Sequence, residues 1–135
     1  VLEVNPLVFM EKIYMVKYKS LTTYKKEDYL EIEILKYLQA LRQPTTRQQL
    51  AEYLVKNVDT IPNDSMKYLK SQKTGKEYQP FMNRVGFALT SLYKAQLINH
   101  PKRGITVLTK LGYNVDVKNK KYIHQLVMKG WGKDN

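Results

Sequence analysis

The residues in this chain best suited to chemistry are those that could grip a polyanion. Asn83 and Arg84 stand side by side, and Lys102 and Arg103 follow some twenty residues later beside Pro101 and Gly104. In the major groove of duplex DNA, Asn can pair with adenine and Arg with guanine. A Lys–Arg pair at a turn can hold phosphates or enter a narrow minor groove. Phe87 and Lys94 fall toward the same side as Asn83 if the segment is helical. Lys67, Lys70, Lys73 and Lys76 recur through a polar stretch and read as phosphate contacts without sequence information. Arg47, at the head of an earlier helix, is counted with them. Any one of these cations could equally belong to a solvated face.

A nuclease signal competes with this reading. Asp116-Val117-Lys118 has the acid-x-lysine form with which many nucleases hold a metal and activate water, and Asp64 could be an upstream acid. The tripeptide is common by chance, and no alternating strands surround it. No catalytic residue is therefore assigned. There is no cysteine, and the two histidines, His100 and His124, lie far apart without a His-x-x-x-His pair. No metal and no cofactor are expected. Gly75-Lys76 lacks the other glycine that a phosphate-binding loop of an NTPase needs.

The distribution of charge agrees with an anionic partner. The net charge is +11. Residues 1–65 carry nine basic and nine acidic side chains, whereas residues 66–135 carry fourteen basic and three acidic ones, Glu77, Asp116 and Asp134. The whole excess lies in the second half, and fixed positive charge attracts phosphate and releases its counterions. The eleven tyrosines could stack on single-stranded bases. Tyr37 and Tyr53 fall on apolar faces, however, where core packing is the simpler role.

The elements that must position these residues follow from periodicity. Leu30, Ile34, Tyr37, Leu38 and Leu41 give a helix over 26–42, with Glu27, Asp28 and Glu31 in its opening turns and Pro44 as its stop. Thr46 and Gln49 form a capping box for a second helix over 46–56. A connector over 59–64 leads to a short helix over 65–70 and then to a polar, basic loop over 71–76. Phe81, Val85, Ala88, Leu89 and Leu92 line the apolar face of a helix over 80–95. Asn83, Arg84, Phe87, Ser91 and Lys94 fall toward its other side. Residues 97–99 and 105–108 flank the Pro101–Gly104 turn as a β-hairpin. Thr109 caps a short turn, and 121–128 is helical. Apolar runs over 7–10 and 13–16 suit a strand or a short helix. The chain is thus expected to be mainly α, a winged helix-turn-helix with a three-helix core and a β-hairpin wing. The expected division is an extension over 1–25, the winged-helix domain over 26–115 and a tail over 116–135.

The run Asn83-Arg84-Val85-Gly86-Phe87-Ala88 continues to Leu92, Ala95-Gln96-Leu97-Ile98, Pro101-Lys102-Arg103-Gly104, Leu108-Thr109 and Gly112. This pattern resembles the N-terminal domain of Mrr-type restriction endonucleases, and the likeness covers about 26–112. It implies a winged helix that presents double-stranded DNA to a separate or fused nuclease domain, in enzymes that often restrict modified DNA. No nuclease domain follows Gly112, so the expected function is duplex binding that depends on sequence or modification, without catalysis. The alternatives are a protein-interaction or homodimerisation module, a transcriptional regulator with no nuclease link, and RNA binding. No segment suits a membrane span or a secretory signal, which makes a cytoplasmic protein the default.

Overall fold

The computed structural model describes residues 18–133, and the apolar runs over 7–16 lie outside the described residues. A 3₁₀ turn, Tyr18–Ser20, precedes α1, Thr23–Leu41. Thr22 is the N-cap, its side chain accepting a hydrogen bond from the Lys25 backbone at 3.4 Å. The helix therefore begins a turn before the acids that mark its start in the sequence. It ends at Arg42, which adopts a left-handed conformation (φ 54°) and donates its N–H to the Leu38 carbonyl.

Strand β1, Thr45–Thr46, leads directly into α2, Arg47–Asn57. The capping box is formed: Thr46 Oγ1 accepts from Gln49 N at 3.1 Å, and Gln49 Oε1 accepts from Thr46 N at 3.0 Å. Next come β2, Leu69–Lys70, and β3, Glu77–Tyr78, paired antiparallel with Leu69 opposite Tyr78 and Lys70 opposite Glu77. This corrects the short helix expected over 65–70. That stretch is a turn followed by one arm of a hairpin, because the polar loop with Gly75 at φ +70° folds the chain back on itself. Helix α3, Pro80–Lys94, follows, with proline at its first turn, where no intrahelical N–H is needed.

Strands β4, Ile98–Asn99, and β5, Ile105–Leu108, form the expected second hairpin. β1 also pairs with β5, Thr45 opposite Thr106, giving a three-stranded sheet in the order β1-β5-β4. This third strand is not foreseen by the sequence pattern. Helices α4, Lys110–Asn114, and α5, Lys120–Gly130, complete the described chain, which is mainly α with small antiparallel sheets. Among the described residues no helix is long and apolar enough to cross a membrane.

The core is built where α1, α2 and α3 meet. Leu30, Ile34, Leu35 and Leu38 of α1 pack with Leu50 and Leu54 of α2 and with Phe81, Val85, Leu89 and Leu92 of α3. Each such burial stabilises the fold by roughly 1.5–3 kcal/mol before chain entropy is counted. Ile123 and Val127 dock α5 onto this core. Gln39 of α1 donates to the carbonyls of Gly112 and Val115, both at 2.9 Å, and so ties α4 to the bundle. The result holds α3 on three sides, by α1, α2 and α5, and leaves its fourth side free.

Candidate nucleic-acid interface

The free side of α3 follows from its phasing. Phe81, Val85, Ala88, Leu89 and Leu92 are buried, so Asn83, Phe87, Thr90 and Lys94 form an exposed stripe at three- and four-residue steps. Phe87 is 50% exposed, which is unusual for a phenyl ring and leaves a large apolar surface in water. Ser91, expected on the same side, is buried instead: its hydroxyl oxygen accepts from Trp131 Nε1 at 3.0 Å. Trp131 stands in the polar end of the sequence, where no periodic pattern signals that α5 covers this position.

Arg84 sits at the edge of the stripe and is engaged. Its Nη1 lies 2.7 Å from Glu27 Oε1 of α1, and both side chains are partly buried. The guanidinium carbon also lies 4.9 Å from the Phe87 ring centroid, within the range of a cation–π contact. Burial raises the Glu27 carboxyl above its ordinary value, while Arg84 opposes that shift and Asp28 adds to it. Glu31, one turn further along α1, is pushed up to about 8 by burial and then by Asp28 and Glu27, with the Ser91 hydroxyl opposing.

Two other expected contact residues are held rather than loose. Lys94 Nζ rests 4.6 Å from the Trp131 ring centroid. Arg47 is exposed and lies across the middle of α3: a Cβ on Gly86 would stand 3.0 Å from Arg47 Nη1. The glycine therefore leaves room for that guanidinium beside the exposed stripe.

The turn between β4 and β5 is exposed from Pro101 to Gly104, so Lys102 and Arg103 both reach solvent. Gly104 takes φ +81°, a left-handed value that favours glycine. The Ile105 N–H donates to the Lys102 carbonyl at 3.0 Å. His100 secures the base of the turn: Nδ1 lies 3.1 Å from the Ile105 carbonyl, and the ring stacks on Tyr93 of α3 with centroids 5.3 Å apart. This brace between the C-terminal end of α3 and the hairpin is not anticipated from the sequence. Lys73 and Lys76 lie on the other hairpin, at the far end of the helix.

Apart from Arg84, paired with Glu27 at the border of the helix face, the expected residues fall into three groups. Asn83, Phe87, Lys94 and Arg47 share the exposed side of α3, Lys102 and Arg103 lie on the adjoining turn, and Lys73 and Lys76 stand apart on the β2–β3 turn. Asp116 belongs to none of these. Its Oδ1 accepts from the Lys118 N–H at 2.9 Å in a local turn. Among the described residues no group of three or more His, Asp or Glu side chains is gathered to hold a metal ion.

In comparison with known families, the Mrr N-terminal domain matches residues 28–118, about two thirds of the chain. No curated protein and no solved structure matches.

Proposed function

The chain belongs to the Mrr N-terminal domain family, and on that premise we propose that it is a winged-helix module that binds double-stranded DNA. The matched family is an N-terminal domain and not a catalytic one, and it ties the chain to Mrr-type restriction proteins. Helix, strand, helix, helix and hairpin, with β1 closing the sheet on β5, is the order a winged helix uses, and here the β2–β3 hairpin is inserted between α2 and α3. In that reading residues 26–115 are the recognition domain, α3 lies in the major groove and the β4–β5 turn is the wing.

The observation that carries the proposal is the union of one exposed helix side with a braced basic turn. Asn83 and Phe87 face the solvent from the first two turns of α3. Asn83 offers an amide edge to adenine, and Phe87 offers an apolar surface for a thymine or 5-methyl group. Lys102 and Arg103 hold the neighbouring backbone. Charge supports the same assignment. Among the described residues, Arg84 is the one lysine or arginine after residue 65 with a carboxylate at salt-bridge distance. The readout is of sequence or of base modification, and it serves a separate or fused nuclease domain.

Binding to duplex DNA, single-stranded DNA and RNA across a salt series tests this. Duplex should bind most tightly, and log K should fall by about 0.9 per log unit of salt for each phosphate neutralised. With magnesium or manganese added, the duplex should be recovered uncut. Equal affinity for all three polymers, or an affinity indifferent to salt, would reject the proposal.

A further inference from the structure

The β2–β3 hairpin stands mostly in solvent, with Lys67 and Leu69 lining a cavity at its root. Residues 67–78 are all exposed apart from the half-buried Ser71. Tyr68 is 62% exposed, Leu69 42% and Tyr78 39%. A two-stranded ribbon alone is marginal in water, yet this one is tied together. The Ser71 N–H donates to the Lys76 carbonyl and the Gly75 N–H to the Ser71 carbonyl, both at 2.9 Å. At the root, Gln79 Nε2 donates to the Met66 carbonyl at 2.7 Å. The register sets Leu69 directly opposite Tyr78, so two apolar side chains stand together on one face of the ribbon.

The chemistry of the surroundings selects the occupant. Lys67, Lys70, Lys73 and Lys76 punctuate the hairpin against a single acid, Glu77. A second copy of this +11 chain would bring like charge to the same place. A cavity of about 290 Å³ at the hairpin root, next to Pro80 at the start of α3, adds Lys19 and Lys26 to its lining. The hairpin passes through Gln79 straight into α3, whereas the β4–β5 turn follows the other end of that helix. Cationic elements therefore flank α3 at both ends.

We infer that the β2–β3 hairpin is a second DNA-gripping element, whose lysines hold phosphates while Leu69 and Tyr78 wedge against a base step and bend the duplex. This rests on the duplex-binding reading above and extends it from recognition to deformation. Apolar side chains pressed between base steps partly unstack and kink a duplex, and the bend then lets it meet more protein surface. The exposed pair supplies the wedge, and the lysines oppose the charge of the approaching backbones.

The test uses the whole chain and a mixed-sequence duplex of about 30 base pairs, with dyes at both ends and 2-aminopurine placed in turn at successive steps. The parent protein should shorten the end-to-end distance and brighten 2-aminopurine at one step. Leu69→Ser combined with Tyr78→Ser should abolish both signals and leave the salt slope unchanged. Lys73→Ala combined with Lys76→Ala should lower that slope by about 0.9 for each phosphate that the variant no longer neutralises. Leu69→Thr alone, which keeps a strand-forming side chain, should weaken the bend, and its melting temperature should equal that of the parent. A bound duplex that stays straight and stacked, or one that the serine variant bends as fully as the parent does, overturns the wedge alone. Failure of the parent to bind duplex overturns the duplex reading as well.

Discussion

The guanidinium of Arg84 commits Nη1 to Glu27, and only its remaining N–H groups are left to reach a base edge. At 2.7 Å and partly buried, the pair acts as a strut between α1 and α3. Arg84→Ala should therefore cost about 1.5–3 kcal/mol of stability, the range for a hydrogen bond to a charged group. Much of that loss should vanish in a cycle with Glu27→Ala, and chemical denaturation of the four proteins measures the coupling. DNA affinity should respond more to Arg103→Ala, whose side chain stands on an exposed turn. If Arg84→Ala leaves stability intact and weakens binding at one base position, the strut reading is wrong. The apolar spacing puts Arg84 at the border of the helix face, where periodicity alone cannot choose between the two roles. Its partner lies 57 residues away, and no local pattern reports such a pairing.

Glu31 carries a second consequence at the same scale. Its folded carboxyl is pushed up to about 8 by burial, with Asp28 and Glu27 adding and Ser91 opposing. The unfolded group titrates near the ordinary glutamate value. Below that value both states hold the proton, and the stabilising contribution is complete. Between there and about 8 the folded state holds more protons than the unfolded one, so stability falls as pH rises. Glu27 and Asp28 are raised in the same direction, mainly by burial, and add to this loss on the acidic side of the window. Glu31→Gln should flatten the fall between pH 5 and about 8, each pKa unit being worth about 1.4 kcal/mol. It should also raise the melting temperature at the alkaline end relative to the parent. An unchanged pH profile in the variant would place the titration elsewhere.

At the scale of elements, long amphipathic helices are legible and short ladders are not. The face of α3 appears in its apolar spacing, and α2 announces itself through Thr46 and Gln49. β1 has two residues, and one of them doubles as the cap of α2, so the capping signal hides the strand. β2 and β3 are equally short, and Met66-Lys67-Tyr68-Leu69-Lys70 contains nothing that forbids a helix. Only the return of the chain at Gly75 makes that stretch a hairpin. α1 starts early because Thr22 supplies the cap, although Lys25 and Lys26 oppose the helix dipole in the first turn. Two substitutions separate local from tertiary causes here. Thr46→Ala removes one half of the capping box and should destabilise by about 1 kcal/mol. Gly112→Ala meets a harder obstacle, since a Cβ there would run into the Leu97 carbonyl and crowd Leu108. Overpacking of that kind costs typically about 1–3 kcal/mol. Thermal unfolding should rank Gly112→Ala below Thr46→Ala, and the reverse order would mean that α4 can shift away from β4.

Over the whole molecule, the division of charge along the chain becomes a division of labour. Four acids of the first half, Glu27, Asp28, Glu31 and Glu33, lie on α1, and they face partners within the fold: Arg84, His124, Ser91 and Lys36. The acids of α1 are thereby engaged within the fold, while Glu52, Asp59 and Asp64 and most of the second half's basic side chains stand at the surface. If the basic excess of the second half is a footprint for phosphate, its parts should respond separately. Lys102→Ala and Arg103→Ala remove charge from the β4–β5 turn, while Lys73→Ala and Lys76→Ala remove it from the β2–β3 turn. Each should lower the slope of log K against log salt by about 0.9 and weaken all duplex sequences alike. Asn83→Ala should leave the slope unchanged and narrow the gap between preferred and scrambled duplexes by about 1–3 kcal/mol. Because turns at opposite ends of α3 touch different phosphates, the effects of Arg103→Ala and Lys73→Ala should add within about 0.5 kcal/mol in the double variant. Equal weakening through every surface lysine, including Lys110 and Lys120, would instead describe a diffuse cationic surface with no footprint, and the assignment of α3 as the reading helix would fall with it.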